Sequence, residues 1–334
     1  MERNKDKTKI KLIILGIVLL VLCLLSMRYG SARLSSKEFL SGLSDTRKLT
    51  PFGVIIYSIR LPRTLGAVIS GASLAISGTI LQSITNNKMA SPGLVGVSSG
   101  AGFAVILSLT LFPMLSRFIP IFSFAGAFLA TLFIVTLSKK LGFSRSTVVL
   151  AGLALSALLS SGISFMSLLD SDVLVSYNAF SIGSLSGIKP EQLVFPFIMT
   201  VLSFITSLIK SSEIDILSLG DDVAASLGIK TASVRTMCML VSSVSAASAV
   251  SFAGLVGFVG LMAGHIAKKL LCRADMRAVL PASALTGAIL VTASDLIGRA
   301  LFAPSEIPVG IILSLIGSPF FIVLLLCSGG ESDA

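Results

Sequence analysis

The chain has 334 residues, of which 54% are hydrophobic and only 13% charged, and it contains no tryptophan. A soluble domain carries about 25% charged residues, so this balance excludes an ordinary globular enzyme, a disordered chain and a nucleic-acid-binding module. The net charge of +10, from 26 Lys and Arg against 16 Asp and Glu, then reads as membrane topology, because Lys and Arg fix which side each loop faces. The composition, with a mean hydropathy of +0.97, is that of an all-α polytopic membrane protein lying in a lipid bilayer.

A span needs about 20 mainly apolar residues to cross a hydrocarbon core of about 30 Å. Met1 to Lys11 carries five Lys and Arg and runs into an apolar stretch with no small-residue cleavage site after it. That pattern predicts a retained first span with its basic end in the cytoplasm. Cuts at charges, prolines and turn clusters predict ten spans, near 10–28, 63–84, 93–112, 117–138, 147–169, 192–210, 233–252, 254–272, 280–301 and 307–328. The whole chain is then one transmembrane domain with both termini on the cytoplasmic side. No connector outruns the one from 28 to 63, and no GxxxxGK[ST] phosphate loop occurs. An ATPase site in this chain is therefore not expected.

Counting tests the orientation. The predicted cytoplasmic segments hold 16 of the 26 Lys and Arg, and seven of the other ten lie between Arg28 and Arg63. That outer cluster is the one exception to an inside-positive pattern. Within it, Arg60-Leu-Pro-Arg63 opens the second span. The two arginines project on one helix face, where they can grip carboxylates of a partner or snorkel to lipid headgroups.

Next in order, residues 82–92 form a polar break that leads into Gly93-Leu-Val-Gly96, and this tetrapeptide recurs at 254–257. Two related halves are a recurrent transporter design. Gly96-x-x-x-Gly100 and Gly260-x-x-x-Gly264 place small residues for close helix approach. The segment 211–231 is the one sizeable cytoplasmic connector. In its centre Asp221 or Asp222 can cap a short helix that Gly228 stops, with Val223, Ala224 and Leu227 as an apolar face. His265, the sole histidine, is expected to bond a carbonyl. Asp295 and Arg299, four apart, are expected to pair. Cys23, Cys238, Cys272 and Cys327 have no metal-ligand spacing, so neither metal nor cofactor is implied.

Arg60-Leu-Pro-Arg63, Ser77-Gly78, Gln82, Pro92-Gly-Leu-Val-Gly96 and Ser99-Gly-Ala101 resemble the front half of the iron-chelate and cobalamin permeases of type II ABC importers. Leu219-Gly220, Ala224 and Leu227-Gly228 resemble that family's coupling segment. Gly257-Phe-Val-Gly-Leu261, His265, Asp295-Leu296, Arg299, Glu306-Ile-Pro-Val-Gly310 and Gly317-Ser-Pro-Phe320 resemble its back half.

The resemblance implies a compact ten-helix permease that pairs with a second permease copy, as a homo- or heterodimer, in a bacterial cytoplasmic membrane. Two ATP-binding subunits would dock below and an extracytoplasmic substrate-binding protein above. It implies docking of that binding protein by Arg60, Arg63 and Arg299, and ATPase coupling through Leu219, Gly220, Asp221, Asp222, Ala224, Leu227 and Gly228. The implied gate consists of Asn87, Met89, Arg145 and Ser146. The implied cargo is an iron chelate, a ferric siderophore first, with haem or cobalamin as the alternative. Outside the family, an ion-coupled secondary transporter would want midplane carboxylates, for which Asp295 alone is a candidate. Gly264, Lys88 and Phe180 stand where the family usually has proline, proline and tryptophan.

Overall fold

The computed structural model describes residues 2–32, 34–141 and 145–329, with the side chains of 2–5, 145–146, 325 and 327–329 outside the description. All regular structure among the described residues is helical. Seven helices are long and apolar enough to cross a membrane, by length and composition: Asp6–Arg28, Pro51–Thr85, Pro113–Lys140, Thr147–Leu169, Glu191–Ile209, Thr231–Ala253 and Met276–Ala300.

In chain order, α1 (Glu2–Arg28) is peripheral, its apolar residues from Ile10 to Leu25 largely exposed. Between it and the next span the predicted connector is structured. Helix α2 (Ser36–Ser44) begins with a capping box in which Ser35 and Glu38 bond each other's backbone N–H, satisfying two orphan donors at once. Asp45 then closes the turn to Thr50 by accepting its N–H (2.6 Å) and hydroxyl (2.7 Å). Helix α3 (Pro51–Val54) passes through a π-helical turn, Ile55–Arg60, into α4 (Leu61–Thr85).

Helix α4 is the axis of the molecule, buried nearly all round. Two features of its sequence make that feasible. Glycines let other backbones touch it: a Cβ on Gly71 would collide with the Gly287 carbonyl, and one on Gly78 with that of Gly260. Hydroxyls stitch it laterally, with Ser73 meeting Thr200 (2.6 Å), Ser77 meeting Ser242 (2.7 Å) and Ser26 meeting Thr64 (2.7 Å). In lipid, where apolar burial gives no net drive between helices, small residues and hydroxyl pairs supply the association.

Helices α5 (Val97–Leu111), α6 (Ile119–Lys140), α7 (Arg145–Leu169) and α9 (Glu191–Ile209) follow, with α8 (Ser171–Ile182) an additional helix in the predicted 169–192 connector, capped by Asp170. Two short helices, α10 (Ser211–Ser218) and α11 (Asp221–Ser226), precede α12 (Thr231–Ala253), α13 (Val259–Leu271), α14 (Met276–Ala300) and α15 (Val309–Gly329).

Both Gly-Leu-Val-Gly copies fall in breaks. Pro92–Val95 is a single 3-10 turn before the 15-residue α5, and 254–257 is non-helical before the 13-residue α13. Thirteen residues rise about 20 Å, so α13 covers only part of the 254–272 span. Irregular backbone at membrane depth must be satisfied by protein, and here it is. Leu255 N–H donates to the Phe180 carbonyl (3.1 Å), Ser184 N–H to that of Ala253 (2.9 Å) and Gly310 N–H to that of Gly183 (3.2 Å). Gly254 takes φ +71° and has no room for a side chain beside Phe180. Gly96, at φ +75°, caps α5, and both it and Gly100 lie against Ala130 of α6, while Gly260 and Gly264 both face α4, as the two spacings predict.

Candidate functional site: two ends of one bundle

At the end of the bundle carrying α2, five charged side chains converge. Arg63 Nε donates to Asp295 (2.9 and 3.2 Å) and its Nη1 to Glu306 (2.6 Å), while Ser31 also donates to Glu306 (2.8 Å). Arg60 donates to the carbonyls of Met27 (2.8 Å), Arg28 (2.6 Å) and Ala32. These acceptors lie at and just past the C-terminus of α1, the negative pole of its dipole. Arg299 donates to the Ser26 carbonyl (2.6 Å) and hydroxyl.

Asp295 and Arg299 do pair, at 3.1 Å. The better-aligned partner of Asp295 is Arg63, however, which comes from α4 and which the i,i+4 spacing could not reveal. Arg60, Arg63 and Arg299 are only 3%, 6% and 2% exposed. They point into the protein, unlike the outward grip that the sequence suggests. Glu306 lies in the loop before α15. Burial would raise its carboxyl, but the hydrogen bonds from Arg63 and Ser31 and the charges of Arg63 and Arg299 outweigh that and hold it below the usual glutamate value.

At the opposite end, α11 forms with glycines on both sides, Gly220 at φ +123° and Gly228 at φ +79°. Gly228 ends it as expected. Neither Asp221 nor Asp222 caps it: Asp221 instead pairs with Arg235 of α12 (2.6 Å), whose side chain is 4% exposed. The apolar face also differs from the predicted one. Ala224 is fully buried against the bundle, while Leu219, Val223 and Leu227, at i, i+4 and i+8, are 67%, 43% and 61% exposed. Ala224 and the Asp221–Arg235 pair thus anchor the arm, which presents an apolar edge that no other described residue covers.

Helix α10 ties the arm to α14. Asp215 accepts the Met276 N–H (2.9 Å), capping the first turn of α14 from outside, and Arg277 donates to the hydroxyls of Ser211 (3.2 Å) and Ser212 (3.0 Å). Burial raises the Asp215 carboxyl and Asp275 adds to this, against the pull of the Met276 N–H, Arg277 and Lys268.

Between the ends of α4 and α5 lies the predicted gate segment. Asn86 terminates α4 at φ +48°, in the left-handed region that asparagine tolerates, and Met89 N–H donates to Asn87 Oδ1 (2.8 Å). Asn87 and Met89 are exposed, whereas Gln82 donates to the carbonyls of Gly260 (3.1 Å) and Leu261 (3.3 Å). The other half of the predicted gate, Arg145 and Ser146, lies outside the described side chains. His265 donates Nδ1–H to the Leu261 carbonyl (2.8 Å), as expected. Gln82, Asn87 and His265 border a cavity of about 590 Å³.

Sequence reasoning assigned no role to Glu306, Asp215 or Arg235. Glu306 and Asp215 act on residues far away in the chain and Arg235 on one across the turn between two helices, so only the i,i+4 pair on one helix left a local signal.

The chain is similar to a set of known transport proteins along nearly its whole length. A Fe(3+)-citrate import system permease protein of Bacillus subtilis is 33% identical over 326 residues, covering 97% of this chain and 96% of that one. A hemin transport system permease protein of Yersinia pestis is 33% identical over 321 residues, with 94% and 95% covered. Among solved structures, a metal-chelate type ABC transporter in an inward-facing conformation matches with a TM-score of 0.81 and 29% identity, over 96% of this chain and 99% of that one. With residues 18–327 matching the family description itself, the chain belongs to the FecCD transport family, the multi-pass membrane permeases of ABC importers.

Proposed function

We propose that this chain is the permease subunit of an ATP-driven importer that carries an iron chelate, a ferric siderophore first, into the cytoplasm. Haem, after the hemin transport permease of Yersinia pestis, is the second candidate. ATP is hydrolysed by two separate subunits, and a second permease completes the pathway. Both termini and the α10–α11 arm face the cytoplasm, on the side that collects 16 of the 26 Lys and Arg.

The observation that carries this reading is the arm itself. A groove on an ATP-binding subunit is the natural cover for the edge Leu219, Val223 and Leu227, and the Asp215 cap and the Arg277 bonds pass its displacement to α14. Helix α14 packs backbone to backbone on α4 at Gly71 and Gly287, so the two move as one body. Their far ends carry Asp295 and Arg63. Nucleotide-driven motion of the arm therefore reaches the outer cluster as a rigid-body shift.

At the outer face we propose docking of an acidic binding protein on the rim around α2, where Lys37, Arg47 and Lys48 are exposed. Arg60, Arg63 and Arg299 hold that platform from within. A partner carboxylate reaching Arg63 would compete with Glu306. Asn87 and Met89, with Arg145 and Ser146, form the inner gate in this reading.

The test is ATP-dependent uptake in proteoliposomes by the permease reconstituted with its ATP-binding subunits and binding protein. Ferric hydroxamate, ferric catecholate, ferric citrate and haem are compared as cargo. The reading expects a ferric siderophore to be taken up only with ATP and binding protein. Transport by this chain alone along a proton or sodium gradient would overturn it in favour of a secondary transporter.

A further inference from the structure

The cavity of about 590 Å³ beside the gate segment has two unlike halves. Among the described lining residues, Lys268 and Lys269 supply positive charge to one half, and Asp215 is the one carboxylate. His265 adds no anion to that balance. The other half is hydrocarbon: Phe320, Val323 and Leu324 of α15, with Val323 58% exposed at the edge. The gate residue Asn87 borders the same space.

A free anion would use only the first half. A hydrophobic peptide would leave the ammonium groups of Lys268 and Lys269 facing it. A molecule with a phosphate at one end and an acyl chain at the other uses both. The volume falls within the range of about 300–1,000 Å³ for small-molecule sites, and basic pockets between helices at a membrane surface suit anionic headgroups.

We infer that this cavity is a binding site for an anionic phospholipid of the inner leaflet, its phosphate beside Lys268 and Lys269 and its acyl chain along Phe320, Val323 and Leu324. The inference rests on the cytoplasmic orientation proposed for this end. A bound lipid would touch the gate segment at Asn87, α10 at Asp215 and α15 at once. It would therefore bias the position of the arm relative to the gate.

Binding is measured on the full-length permease in neutral detergent, by native mass spectrometry and by the thermal midpoint during titration with phosphatidylglycerol. Phosphatidylcholine and inorganic phosphate are the comparison arms. Phosphatidylglycerol is expected to bind and raise the midpoint, with neither comparison arm doing so. The Lys268→Gln/Lys269→Gln pair is expected to weaken binding about thirtyfold, at about fivefold for each lysine beside an anionic surface. The Lys268→Arg/Lys269→Arg pair keeps the charge and the affinity. Val323→Asp, at the exposed edge of the apolar half, also weakens binding and tests the site if the glutamine pair fails to fold.

Equal binding of phosphatidylcholine, an equal midpoint shift with phosphate alone, or full affinity in the glutamine pair or in Val323→Asp would each overturn the inference. The measurement needs neither ATP nor chelate. Failed uptake with intact lipid binding therefore counts against the importer reading alone.

Discussion

Replacing Asp295 by asparagine tests the outer cluster most directly. The cluster holds three guanidiniums, Arg60, Arg63 and Arg299, against two carboxylates, Asp295 and Glu306. Asp295 is the more deeply buried carboxylate, its side chain 1% exposed against 29% for Glu306. Arg60 is satisfied by carbonyls around the end of α1 and is indifferent to the change at first order. Arg299 keeps the Ser26 carbonyl. Arg63 loses the acceptor of its Nε and keeps only the half-exposed Glu306. Removing one partner of a buried ion pair costs about 3–5 kcal/mol, because the other charge stays buried and uncompensated. The isosteric amide recovers part of this by accepting one hydrogen bond, so the lower half of that range is expected.

The assay is thermal unfolding of the permease in detergent, with a double-mutant cycle to apportion the loss. Arg63 Nε is aligned on Asp295, whereas Arg299 Nε at 3.1 Å is within ion-pair distance but makes no hydrogen bond. Coupling of Asp295→Asn with Arg63→Met should therefore exceed coupling with Arg299→Met. An unchanged unfolding midpoint in Asp295→Asn, or the reverse order of couplings, would refute the argument.

Other consequences follow from the same geometry. Gly78→Ala should destabilise by several kcal/mol, because its Cβ meets the Gly260 backbone, while Gly16→Ala, with open space around it, should be neutral or stabilise by about 0.5–1 kcal/mol; thermal unfolding separates them. Asp221→Ala leaves Arg235 buried without its carboxylate and should loosen α11 by about 1.5–3 kcal/mol, read as faster hydrogen exchange over 219–229 and a fall in ATP-coupled uptake. The lowered Glu306 carboxyl contributes stability that is complete above the ordinary glutamate value and is lost as pH falls through its depressed one. The raised Asp215 carboxyl has the opposite sign, since the fold favours its protonated form and stability falls as pH rises through the window above the usual aspartate value. Glu306→Gln and Asp215→Asn should each flatten the corresponding limb of midpoint against pH. Lys37→Glu/Arg47→Glu should weaken capture of the binding protein while leaving the thermal midpoint unchanged, whereas Arg60→Glu should lower the midpoint; equal midpoints in the two variants would refute the inward placement of Arg60.

The sequence disclosed what depends on neighbours along the chain. Hydropathy over windows of span length located the apolar segments, and the α11 stop at Gly228 followed from local turn chemistry. Residues whose partners are distant stayed hidden. Nothing near Arg60 in sequence announces the carbonyls of Met27 and Arg28, and nothing near Asp215 announces Met276. Of the expected α11 face, Val223 and Leu227 are exposed and Ala224 alone turns inward: on a six-residue helix alanine can serve either side, and the Asp221–Arg235 pair holds that side against α12. Helices α2 and α8, of nine and twelve residues, escape a search for spans because each is far shorter than the roughly 20 residues a crossing needs, although the Ser35–Glu38 capping box was readable in principle.

In the proposed importer the two ends act as one mechanical object because of how α14 is held. Its first turn is capped by Asp215 of α10, its middle lies against α4 with glycine facing glycine, and its last turns carry Asp295 and Arg299 into the outer cluster. Each attachment is short-range and stiff: a capped N–H, a backbone contact with no intervening side chain, and a buried ion pair. A flexible contact at any of the three would absorb motion before it reached the other side, since packed interfaces switch between arrangements and do not deform continuously. Lengthening the middle contact with a side chain at Gly287, which would meet the Gly71 carbonyl, should therefore do more than destabilise. Provided the protein still assembles, Gly287→Ala should retain nucleotide hydrolysis and lose its stimulation by the loaded binding protein. Preserved stimulation in an assembled Gly287→Ala complex would show that the signal travels by another helix.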